Sequence, residues 1–126
     1  MKDLFKHILE IDEVKGLYFF YRDGGLMFHQ VDADWRARLN GQQSDALFGT
    51  AEGWNAFLND FYGVQEAELV FENIRLYFRR VETGVVFILL DPYATAAMAR
   101  LNLDIAVPAL NKAKKTKGLG RLFRRR

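Results

Sequence analysis

The sequence predicts an α+β domain whose elements run helix, hairpin, helix, three-strand meander, helix. Three observations carry this reading. A glycine-centred turn separates two aromatic-rich runs in "GLYFFYRDGGLMFHQV"; an apolar stripe at helical spacing extends from Leu47 to Phe61; and three short runs rich in Val, Ile, Phe and Tyr follow one another between Ala67 and Leu90. At 126 residues, half of them apolar, the chain is long enough for one compact domain with a sizeable core and too short for two ordinary ones.

Leu4, Ile8, Leu9 and Ile11, with Phe5 beside them, recur at helical spacing among charged residues, so a short amphipathic helix is expected at the start, with Asp3 as its cap. Asp23-Gly24-Gly25 then supplies the positive φ that a tight hairpin turn requires. From Val31 to Gly41 no clean period is present, and Trp35 and Leu39 fit a loop or a single helical turn equally well. From Ser44, suited to an N-cap, Leu47, Ala51, Trp54, Leu58 and Phe61 form one stripe, and Gly63 provides the stop.

"AELVFEN", "IRLYFRRVE" and "GVVFILLD" make the meander. In the middle run Ile74, Leu76 and Phe78 share one face, while Arg75, Tyr77 and Arg79 take the other, which reads as a solvated strand face. "VVFILL" lacks alternation, so a central strand covered on both sides is expected. Asp91-Pro92 has the chemistry of a helix start, and Met98, Leu101 and Ile105, continued by Leu110, are the expected buried stripe of the last helix. Pro108 lacks the donor of an interior turn, so a kink or restart is expected near Ala106.

Charge is distributed unevenly. Lys112, Lys114, Lys115, Lys117, Arg121, Arg124, Arg125 and Arg126 place eight bases and no acid in the last fifteen residues. The remainder holds ten Lys/Arg against sixteen Asp/Glu, a net charge of −6. The chain therefore divides into an acidic domain, residues 1–113, and a basic flexible tail, residues 114–126. A run of like charges is either simply solvated or a contact for nucleic acid, an anionic membrane or an acidic protein surface. Leu119, Leu122 and Phe123 add the option of a weak amphipathic anchor. No cysteine is present, no stretch approaches the roughly 20 apolar residues that span a bilayer, and the first residues mix charges through their apolar positions instead of forming a secretory block. A cytoplasmic location is the expectation.

The catalytic inventory is thin. Ser44 is the only serine, and its position suits capping better than nucleophilic attack; His7 and His29 have no metal or triad spacing. Asp23, Asp32 and Asp34 read as a solvated turn more readily than as a carboxylate cluster. Neither "DGG" nor "GLG" has the context of a phosphate-binding loop. The expectation is a protein that is not an enzyme and uses no cofactor or metal.

The helix from Ser44 has one peculiarity. Gly49 and Gly53 are four apart and Ala56 three further on, although an interior glycine costs about 1 kcal/mol relative to alanine. Small residues along one side admit a second backbone, and Phe48, Trp54 and Phe57 beside them are too broad for a single buried stripe. Either a twin helix or partner covers this surface, or the helix packs on the chain's own sheet.

With this element order in place, "GLYFFYRDGGLMFHQVD" resembles the opening hairpin of the Roadblock family of dynein light chains and bacterial regulators of Ras-like small GTPases, and "VVFILLDPYATAAMARLNLDIAVPAL" resembles its last strand, Asp-Pro entry and closing helix. The resemblance implies a five-stranded antiparallel sheet with helices on both faces, the Roadblock/profilin-like arrangement. It implies dimers joined at sheet edges through "AELVFEN", hence Leu69 and Phe71, and through the middle helices, hence Phe48, Gly49, Gly53, Trp54, Ala56 and Phe57. The implied function is a non-catalytic homodimeric regulator or scaffold for a Ras-like small GTPase. Nucleic-acid or anionic-membrane binding through the tail, or a small-molecule sensor domain, are the alternatives. Residues 32 to 43 run longer and more polar than the family's usual passage, and the tail is no part of its pattern.

Overall fold

The computed structural model describes residues 1–35 and 51–113. A 3-10 turn, Lys2–Phe5, runs into the one-turn helix α1, Lys6–Leu9. The hairpin is β1, Val14–Tyr21, and β2, Leu26–Val31. Helix α2, Ala51–Asp60, precedes the meander of β3, Glu66–Val70, β4, Arg75–Val81, and β5, Gly84–Leu90. Helix α3, Ala97–Lys112, follows. The strands form one sheet in the order β2-β1-β5-β4-β3, every neighbouring pair antiparallel.

This order explains the unalternating β5. It lies between β1 and β4, and residues 85 to 90 are all buried. Val86, Ile88 and Leu90 join Leu17, Phe19 and Tyr77 on the face covered by Phe5, Ile8, Ala99 and Leu103, that is, by the 3-10 turn, α1 and α3. Val85, Phe87 and Leu89 join Phe20, Leu76 and Phe78 on the opposite face, beneath Trp54, Phe57 and Leu58 of α2. Helices therefore cover both faces, and the two-residue period of each strand feeds two separate cores.

The turn chemistry follows the sequence. Gly24 sits at φ 93°, and the Gly25 amide donates to Asp23 Oδ1 at 2.8 Å. Gly63 ends the α2 region at φ 88°. Gly84 is required for a different reason: a Cβ there would collide with the Phe20 carbonyl and lie 3.0 Å from Tyr21 Cα, so only glycine lets β1 and β5 approach.

Several expectations are corrected. Asp3 caps nothing, because it lies inside the 3-10 turn, which has no side-chain cap. Asp91-Pro92 makes a turn, with the Tyr93 amide donating to Asp91 Oδ1 at 3.0 Å, and α3 begins only at Ala97. The buried stripe of α3 is Ala99, Leu103 and Leu110; Met98, Leu101 and Ile105 face outward, Ile105 being 70% exposed. Alanines at the helix–sheet contact permit close approach, and Asp104 must reach Arg79 on β4, which together fix the rotation of the helix. The helix also continues through Pro108 without a restart. Pro108 is exposed, so the carbonyl deprived of its helical donor lies on the solvent side.

Trp35, left open by its local pattern, is buried in the α2-side core. The candidate cap Ser44, Phe48 and Gly49 of the expected interface, and all tail bases beyond Lys112 lie outside the described residues.

Candidate interaction surface

Among the described residues strand β3 is a sheet edge that pairs with β4 alone, Glu66 opposite Arg79 and Val70 opposite Arg75. Ala67 and Leu69 pack on the α2-side core. At its end Val70 is 64% exposed and the adjoining Phe71 40%, the Phe71 amide donating to the Ile74 carbonyl at 2.9 Å. An edge that offers unpaired backbone and apolar side chains together is a template for strand addition.

The flank of α2 is the second part of this surface. Trp54, Phe57, Leu58 and Phe61 all turn inward. The Trp54 ring lies 4.0 Å from that of Phe87 and 5.1 Å from that of Tyr18, centroid to centroid, and Phe57 stands 4.9 Å from Phe61. Trp54 is 1% exposed, so the expectation that it contributes to an interface is corrected: the chain's own sheet encloses it. Phe57 is likewise turned onto this core and Leu69 packs beneath it, whereas Ala56 is exposed and Gly53 half-buried. The apparent excess of aromatic width is absorbed by the aromatic strands opposite, Phe20, Phe78 and Phe87, whose size no reading of α2 alone reveals.

A polar cluster ties β3 to α3. The Tyr77 hydroxyl donates to Glu66 Oε1 at 2.6 Å and accepts from Arg79 Nε at 3.0 Å. Arg79 pairs with Asp104 of α3, and Arg100 Nη2 reaches Glu66 Oε2 at 3.1 Å. Arg75 pairs with Glu68 at 2.6 Å and donates to the Pro92 carbonyl at 3.3 Å. The face expected to be solvated is instead covered, Tyr77 being buried and the Arg79 side chain 13% exposed. Burial, reinforced by the hydrogen bond to Glu66, pushes the Tyr77 hydroxyl up to about 12. Burial alone would lower the Arg79 guanidinium; the bonds to Asp104 and Tyr77 outweigh it and raise it.

Arg80 has a structural role that its neighbours in sequence do not signal. Its Nε donates to the Val64 carbonyl at 2.8 Å, and Nη2 to the carbonyls of Leu58 and Phe61 at 3.2 and 3.1 Å. A strand residue thus ties down the end of α2 and the turn that follows it, the last turn of the helix itself containing no base.

His7 lies 3.7 Å from Glu10, and His29 stacks on Tyr18. Among the described residues no three metal-ligating side chains converge, and no helix is long and apolar enough to cross a membrane. The geometry offers surfaces for association: a sheet edge, a helix flank and an outward apolar stripe on α3.

No protein-family model and no curated protein matches this sequence. Solved structures do match its fold. A Roadblock/LC7 domain from Streptomyces avermitilis superposes with a TM-score of 0.56 at 14% identity, covering 89% of this chain and 95% of that one. Myxococcus xanthus MglB gives 0.54 at 18% identity, with 87% of each chain covered. The gliding protein MglB from Thermus thermophilus gives 0.54 at 19%, covering 87% and 84%. A further structure is described as MglB with a tetrameric arrangement, at 0.55 and 18% identity, with the same coverage of 87% and 84%.

Proposed function

From the premise that this chain folds as a Roadblock-type domain, we propose that it is a homodimeric binding module that regulates or scaffolds a Ras-like small GTPase. The observation that carries this reading is the β3 edge, which pairs with β4 alone among the described residues and ends in Val70, 64% exposed. Edge-to-edge pairing removes the exposed strand. A five-residue edge alone falls short of the roughly 1,000 Å² that a specific interface needs. The flank of α2 at Gly53 and Ala56 completes it, and residues 1–113 form the module. Bacterial Roadblock-type structures, one of them described as tetrameric, support association as the working state of the fold.

Light scattering on the purified chain tests the first half. A dimer has twice the subunit mass of 14.6 kDa, about 29 kDa, and Gly53→Leu should push the mass toward that of the monomer by blocking the helix approach. A strict monomer across micromolar concentrations overturns the proposal. For the second half, the host's purified Ras-like GTPases, loaded with GDP or a GTP analogue, are titrated against the dimer. Absence of saturable binding in both nucleotide states rejects the GTPase role while leaving the dimer standing.

A further inference from the structure

Five arginines lie among the described residues, and they divide sharply. Arg75, Arg79 and Arg100 each have a carboxylate partner, Glu68, Asp104 and Glu66 respectively. Arg22 and Arg80 have none among the described residues, although these residues carry fifteen Asp/Glu against nine Lys/Arg. The two unpaired guanidinium groups line the same cavity, of about 220 Å³, between the β1–β2 turn and α2. Asn55, Tyr21, Gly24 and Gly84 complete much of its wall, and no acid among the described residues lines it.

Both guanidinium groups are held in place. Arg80 is immobilised through Nε and Nη2 on the carbonyls of Leu58, Phe61 and Val64, in and just after the last turn of α2, and its Nη1 has no hydrogen-bond partner among the described residues. Arg22 Nη1 donates to the Glu82 carbonyl at 3.2 Å, Nη2 to the Tyr21 hydroxyl at 3.3 Å, and the group sits 5.2 Å from the Tyr21 ring centroid. Glu82, whose carbonyl Arg22 holds, turns its carboxylate elsewhere: Oε2 accepts from Asn111 at 3.2 Å. Planar forks with spare donors, fixed beforehand and without a counter-charge, are the ordinary recognition chemistry for phosphate and carboxylate.

We propose that the cavity between Arg22 and Arg80 binds an oxyanion, a phosphate or carboxylate group presented by a small ligand. The two guanidinium groups supply the charge, and the Asn55 amide provides a neutral donor at the rim. The site lies away from the β3 edge, although Asn55 and Leu58 of its wall belong to α2.

Amide resonances of Gly24, Asn55 and Gly84 report on it. Inorganic phosphate and glutarate are titrated separately into the full chain, with chloride at equal ionic strength as control. Saturable shifts confined to these residues are expected with at least one probe, and the probe that saturates identifies the group as phosphoryl or carboxylate. Arg22→Gln should weaken binding by about tenfold, the scale of one charge-assisted hydrogen bond. Asn55→Asp, which places a carboxylate in the cavity at an exposed position with little change in shape, should abolish it. Shifts that fail to saturate, that chloride reproduces, or that persist unchanged in both variants overturn the proposal.

Discussion

Replacing Trp54 with alanine separates two readings of α2. If this side chain belonged to a subunit interface, its loss would weaken association and leave the subunit's own stability nearly unchanged. The structure places it in the core, 1% exposed, against Phe87, Tyr18, Phe20 and Phe57. Removing a buried Trp or Phe side chain costs about 3–5 kcal/mol, because lost transfer energy is joined by the cavity left behind. The upper half of that range is expected here, since the surrounding rings form several aromatic pairs and cannot easily collapse into the gap. About 4 kcal/mol is a large share of the roughly 5–15 kcal/mol that holds a domain together. It should lower the melting temperature by about 10–20 °C at this chain length. Urea unfolding at several protein concentrations measures it. A loss under about 1 kcal/mol, or one confined to a concentration-dependent transition, would refute the assignment of Trp54 to the core.

Gly84→Ala should destabilise by about 1–3 kcal/mol, because its Cβ meets the backbone of β1 and the strands must part; thermal unfolding against a Gly63→Ala control, where nothing lies within 4 Å and only the φ of 88° opposes a side chain, checks it. Tyr77 makes stability sensitive to alkali. Below pH about 10 the hydroxyl is protonated in both states; above it the unfolded chain loses the proton first, so stability declines from there through about 12. Phenylalanine at position 77 should remove that component of the alkaline unfolding curve. Arg79→Ala leaves Asp104 without its cation and the Tyr77 hydroxyl without its donor, and should cost about 2–3 kcal/mol, whereas Arg100→Ala at the exposed end of the cluster should cost under about 1; chemical denaturation ranks the two. Removing residues 114–126 should leave the melting temperature and the dimer mass unchanged, and a loss of folding would place the domain boundary elsewhere.

Element type and order were legible because they depend on local pattern. The turn at Asp23-Gly24-Gly25, the alternation along β4 and the continuous apolar run of β5 each reflect backbone geometry that repeats every two residues or demands a positive φ. The edge position of β3 came from the family resemblance, and the sheet order agrees with it.

Tertiary structure decided how those elements are turned and what they meet. Met98, Leu101 and Ile105 have helical spacing as good as that of the true contact residues, so no periodicity could exclude them; the contact falls on Ala99, Leu103 and Leu110, a rotation that also brings Asp104 to Arg79. Arg75 and Arg79 alternate as a solvated face would, and only the arrival of α3 and the acids of β3 makes that face a buried ionic cluster. Trp54 left its partner open until strands from opposite ends of the chain placed their rings against it. Arg22 and Arg80 are 58 positions apart and meet because β5 draws β1 and β4 to either side of itself. Sequence by itself settled the type and order of the elements, a short-range matter; orientation, burial and charge pairing depend on contacts between residues distant in the chain, which only the folded sheet brings together.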